Sequence, residues 1–85
     1  MEQKAKRVAD HIIKTACANA TCGQYSVKVE DVCSELGMTE QEYIEIFGVV
    51  VYDLCERPEI VDLIDVGDGT IDLGIAKEYL DKSEV

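Results

Sequence analysis

The stretch TEQEYIEIFGVVVYDLCER, Thr39 to Arg57, most constrains what this chain can become. It is the longest apolar segment, and both of its ends are marked. Thr39 followed three residues later by Glu42 has the spacing of a capping box, in which each side chain satisfies an orphan backbone N–H of the other residue. Met38 before the cap and Tyr43 in the first turn have the spacing of a hydrophobic staple. At the far end Pro58 disfavours helical geometry at Arg57 and has no N–H to donate. Between these limits Tyr43, Phe47, Val50 and Leu54 repeat at helical spacing, with Ile44, Val51 and Cys55 on a neighbouring stripe. The expectation is a central core helix packed on most sides, with Phe47 at the middle of its densest stripe.

The 85 residues suffice for one domain, 1–85, and not for two cores; an apolar fraction of 47% is that of a folded protein. No apolar run approaches the roughly 20 residues that cross a bilayer. Asp10, His11 and Lys14 interrupt any signal-like apolar segment near the N-terminus. A cytoplasmic protein without membrane contact is expected.

Upstream, Ala5, Val8, Ala9, Ile12, Ile13, Ala16, Cys17 and Ala20 form one stripe of a helix expected over 2–22, closed by Gly23. Its many alanines imply a close neighbour. Gln24 to Lys28 alternates as a short strand. Val29 to Leu36 then reads as a two-turn helix with Glu30 and Asp31 in its first turn and Gly37 after its end. Beyond Pro58 the period becomes two. Ile60 to Val66 and Thr70 to Ile75 flank Gly67-Asp68-Gly69 as a hairpin, with Ile71, Leu73 and Ile75 facing inward. A two-residue turn pairs Ile64 with Leu73, and a three-residue turn pairs Leu63 with Leu73; the sequence leaves both registers open. Ala76 to Lys82 is expected to add a helical turn or two.

The run EDVCSELGMTEQEYIEIF resembles a helix-turn-helix, with Leu-Gly-Met-Thr as the turn. Taken with the order helix, short strand, helix, helix, hairpin, the chain resembles the winged helix-turn-helix superfamily. That resemblance implies an α+β fold: a small winged-helix-like domain of three helices with a C-terminal β-hairpin. It also implies a DNA-reading surface at the start of the second helix of the motif, supported by basic contacts to phosphate.

The charges depart from that pattern. Net charge is −10, divided as +3 over residues 1–28 and −13 over residues 29–85. The reading position carries Glu40, Gln41, Glu42 and Glu45, with no Lys or Arg between Lys28 and Arg57. The hairpin carries Asp62, Asp65, Asp68 and Asp72. Carboxylates at a phosphate backbone oppose the counterion release that drives DNA binding. The basic residues Lys4, Lys6, Arg7 and Lys14 of the first helix serve either internal charge balance or an anionic partner.

Other chemistry finds little support. GDGTID resembles half of an EF-hand loop, but Ile64, Val66 and Ile75 fall where calcium ligands belong. Cys17, Cys22, Cys33 and Cys55 lack zinc-knuckle spacing, and three of them sit on apolar stripes as small hydrophobes do. His11 has no nucleophile near it in sequence and reads as part of a solvated helical face. No enzyme, cofactor or metal site is expected.

Two functional readings follow. The first is a protein-interaction module, an acidic adaptor or inhibitor that docks on a basic protein. By analogy it is DNA-mimicking and of phage or mobile-element type, and its partner-binding residues are Glu40, Gln41, Glu45, Asp65, Asp68 and Asp72. The alternative is a DNA-binding winged-helix transcriptional regulator acting as a homodimer. The acidic surface also has a plain reading as solvation.

Overall fold

In the computed structural model the described residues are 2–67 and 69–80. Helix α1 (Glu2–Asn19) leads into strand β1 (Gln24–Val27). Helices α2 (Val29–Leu36) and α3 (Glu40–Cys55) follow, then strands β2 (Ile60–Gly67) and β3 (Thr70–Ile75) and a 3-10 turn at Lys77–Tyr79. The result is an α+β domain of three helices and one antiparallel sheet in the order β1-β3-β2.

Helix α1 buries Ala5, Val8, Ala9, Ile12, Ile13 and Ala16. It stops at Asn19, earlier than the expected 22, because the chain must reverse to reach the sheet. Thr21 and Gln24 exchange backbone hydrogen bonds of 2.9 and 3.0 Å. The two residues between them, Cys22 and Gly23, both have positive φ, 55° and 79°. This is the signature of a tight primed turn. Gly23 therefore belongs to that turn and not to a helix cap. Its carbonyl accepts the Ile75 N–H at 2.7 Å, which fastens the turn to β3.

Helix α2 has the expected bounds, and Gly37 (φ 66°) closes it in the left-handed conformation. Helix α3 begins as its sequence dictates. The Glu42 N–H donates to Thr39 Oγ1 at 3.1 Å, and Glu42 Oε1 accepts the Thr39 N–H at 2.9 Å. This hydrogen bond and Lys4 hold the Glu42 carboxyl below its ordinary range. Its contribution to stability is thus present at neutral pH and lost as acid protonates it. We expect Thr39→Ala to lower stability by about 1 kcal/mol and Thr39→Ser to be near neutral, as read by urea titration. Equal tolerance of both would mean that the cap contributes nothing.

The expectation that α3 is packed on most sides is incorrect. Its buried residues are Tyr43, Ile46, Val50 and Leu54, with Phe47 and Val51 half-buried. Ile44 and Cys55, placed on the second stripe by periodicity, are exposed. Helix α3 packs on α1, α2 and β2, and these neighbours leave one side open.

Both anticipated hairpin registers contain part of the answer. Gly67 pairs with Thr70, as a two-residue turn requires, yet Leu63 pairs with Leu73. A bulge at Val66 joins the two, and a second irregularity lies at Val61. Gly69 (φ 76°) allows the turn to approach α2, since a Cβ there would lie 3.1 Å from Val29 Cβ. In β3 the expected alternation holds, with Ile71, Leu73 and Ile75 buried. Leu80, beyond the 3-10 turn, packs against the same core.

Candidate interaction surface

The first turns of α3 present Glu40, Gln41 and Glu45 to solvent, on a helix fixed by its capping box and buried stripe. Among the described residues, neither Glu40 nor Glu45 is held in an ion pair. Glu42 behaves differently: it caps the helix and lies 3.7 Å from Lys4 Nζ.

The hairpin carboxylates do not share one face of the sheet. Asp72 alternates with the buried Ile71 and Leu73, so it lies on the outer face of the sheet, where its Oδ1 accepts the Ser26 hydroxyl at 2.6 Å. Asp65 pairs with Ile71 on the opposite face, and its Oδ1 accepts the Gly67 N–H at 2.9 Å beside the bulge. Asp68 lies outside the described residues. A second acidic surface therefore forms on the outer sheet face, where Asp62, Ile64 and Asp72 meet Gln24 and Ser26 in a shallow pocket.

The open side of α3 carries Ile44 and Cys55, which periodicity assigned to the core, together with Gly48 and Tyr52, which it did not single out. Ile44 is 63% exposed and Tyr52 is 68% exposed. Gly48 lies between them, one helical turn from each. The same side carries Gln41, Glu45, Cys55 and Glu56, all exposed. The signal was present in the sequence, since these polar and small residues recur at the same helical spacing. The density of apolar residues in α3 concealed it.

The cations close to this face are engaged or flanked by carboxylates. The Arg57 guanidinium donates to Asp10 at 2.6 Å and to both oxygens of Asp53 at 3.3 and 3.1 Å. These hydrogen bonds raise its pKa further. Lys4 faces Glu42, and Lys6 shares a surface pocket with Val49, Tyr52, Asp53 and Glu56.

His11 is not on a freely solvated face. It is half-buried, with Nε2 2.6 Å from Glu35 Oε1, tying α1 to α2. Tyr25 and Asp31 line the same small cavity. Burial, Glu35 and Asp31 together push the Tyr25 hydroxyl pKa up.

The cysteines also divide differently from the expectation. Cys33 is buried and Cys17 half-buried, whereas Cys22 and Cys55 are exposed. No group of three or more metal-ligating side chains occurs among the described residues, and none of the described helices is long and apolar enough to cross a membrane. No family model, curated protein or solved structure matches the chain.

Proposed function

We propose that this chain is a winged-helix-like protein-interaction module whose acidic α3 face docks on a basic protein. The order α1-β1-α2-α3-β2-β3 with sheet order β1-β3-β2 supports the winged-helix reading. One observation carries the functional reading. Where a winged helix would present basic side chains to DNA, this α3 exposes Glu40, Gln41, Ile44, Glu45 and Tyr52. An apolar centre with a charged rim is the anatomy of a protein interface. Carboxylates there repel phosphate. An adaptor or inhibitor role, with imitation of DNA charge as its extreme form, follows from the sign of the field.

The test is reversal of charge at Glu40 and Glu45 together. Glu42 is left intact because its loss would confound binding with stability. Exposed reversals of this kind shift stability by only about ±0.5 kcal/mol. The partner is captured from the source cell, identified by mass spectrometry and titrated at two salt concentrations beside random duplex DNA. For the Glu40→Lys/Glu45→Lys variant, association with the partner is expected to slow by on the order of tenfold or more at low salt. The salt dependence should flatten. A regulator that reads DNA through this face predicts the opposite, tighter duplex binding by the lysine variant and no loss of partner. Unchanged affinity for both would leave the acidic face as solvation only.

A further inference from the structure

Helix α3 contains a glycine that the fold does not need. Gly48 is in the middle of the helix, without the positive φ that demands glycine, and a Cβ built on it meets nothing within 4 Å. Glycine is among the poorest helix formers. Alanine would fit in its place and favour the helix, so the local structure offers no reason for its presence.

What Gly48 does create is a notch. Ile44, Gly48 and Tyr52 lie four residues apart and so form one ridge along the helix surface. The two ends of that ridge are large, apolar and 63% and 68% exposed, and its middle is bare backbone. Around the notch stand Glu40, Glu45 and Glu56. Helix α3 itself carries no Lys or Arg. The nearby cation Lys6 comes from α1 and lies among Asp53 and Glu56 on one flank.

Building on the docking function above, we propose that this notch seats an amphipathic helix of the basic partner. Its apolar ridge would cross α3 at Gly48 between Ile44 and Tyr52, and its Lys or Arg side chains would face Glu40, Glu45 and Glu56. A helix is the element that fits, because ridges at four-residue spacing pack into one another and a glycine at the crossing lets the backbones approach closely. A basic occupant is the one that the rim selects. A second copy of this chain would bring the same carboxylates and a further net charge of −10 to the contact.

The probe is a synthetic amphipathic helix of about 18 residues with leucine on one face and lysine on the other, set beside a control with glutamate in place of lysine. Both are titrated into the full chain and followed by NMR amide shifts. The expected result is saturable 1:1 binding of the lysine peptide, with the largest shifts at Ile44, Gly48 and Tyr52. Binding of the glutamate control should be weaker by about tenfold or more. Gly48→Leu should weaken lysine-peptide binding by a similar factor without lowering the melting midpoint. Gly48→Ala should raise the midpoint and weaken binding to a smaller extent. Undiminished peptide affinity in Gly48→Leu overturns the proposal. So does mapping of the shifts to the outer sheet face around Asp72, or self-association of the free protein through Ile44 and Tyr52. The two readings fail separately. If Gly48→Leu retains the captured partner while Glu40→Lys/Glu45→Lys loses it, the helix seat falls and acidic docking stands. If the lysine pair alters neither peptide nor partner binding, acidic docking falls as well.

Discussion

Tyr43→Ala is expected to remove about 3–5 kcal/mol of stability, the loss typical of truncating a fully buried aromatic ring. Tyr43 is 0% exposed and meets Phe47 edge-on, with ring centroids 5.6 Å apart. A domain of this size has little stability to spare, so the variant should melt well over 10 °C lower or fail to fold cooperatively. Phe47→Ala should cost less, because Phe47 is only half-buried. Tyr43→Phe should have the opposite sign. The Tyr43 hydroxyl is buried without a hydrogen-bond partner among the described residues, and burial, with Cys33 and Asp65 nearby, pushes its pKa up to about 12. Removing an unsatisfied buried hydroxyl leaves stability unchanged or raises it by about 1 kcal/mol. Thermal melts of the three variants measure this order. If Phe47→Ala is the most damaging of them, the centre of the core is misplaced.

Ala9→Leu is expected to destabilise the protein by about 1–3 kcal/mol, although leucine is nearly as good a helix former as alanine. The reason is space. Ala5, Ala9 and Ala16 are at most 1% exposed, on the side of α1 that packs against its neighbours, among them α3. Small side chains there set the distance between the helices, and a larger one forces them apart or into strained rotamers. Ala18→Leu, on an exposed position of the same helix, is the control and should be nearly neutral. Denaturant titration of the pair separates packing from propensity. A neutral Ala9→Leu would show that α1 has room beside it.

Where structure is made by near neighbours in the chain, it was legible before any coordinates. The start of α3 is a contact between residues three apart, Thr39 and Glu42; its end, expected at Arg57 before Pro58, comes two residues earlier at Cys55, with Glu56 as the cap. The closure of α2 depends on Gly37 alone. The alternation of β3 follows from the period of a strand against a single core. The early end of α1 was less legible, because the turn that replaces its last residues depends on Ile75 reaching back to Gly23. The hairpin register was legible only as a pair of alternatives. Local turn chemistry favours a two-residue turn, whereas placing Leu63 opposite Leu73 satisfies the core. The bulge at Val66 reconciles them.

The candidate surface divides in the same way. That α3 begins with Glu40, Gln41 and Glu45 in acidic surroundings is a property of the sequence. That Asp65 and Asp72 end on opposite faces of the sheet follows from strand pairing, since adjacent strand residues point to opposite sides and the bulge resets the count. The bridges from His11 to Glu35 and from Arg57 to Asp10 join residues 24 and 47 positions apart, beyond the reach of any local pattern. Periodicity sorted the apolar residues of α3 into stripes, but it carries no information on how many stripes have a neighbour to cover them. With three helices and three strands, the fold covers Tyr43, Ile46, Val50 and Leu54 and leaves Ile44, Gly48 and Tyr52 open. The sequence by itself determined the order of the helices and strands, the start of α3, the bounds of α2 and which sign of charge they carry. Tertiary packing alone decided which apolar residues became core and which became surface, because burial belongs to the pair of elements that meet.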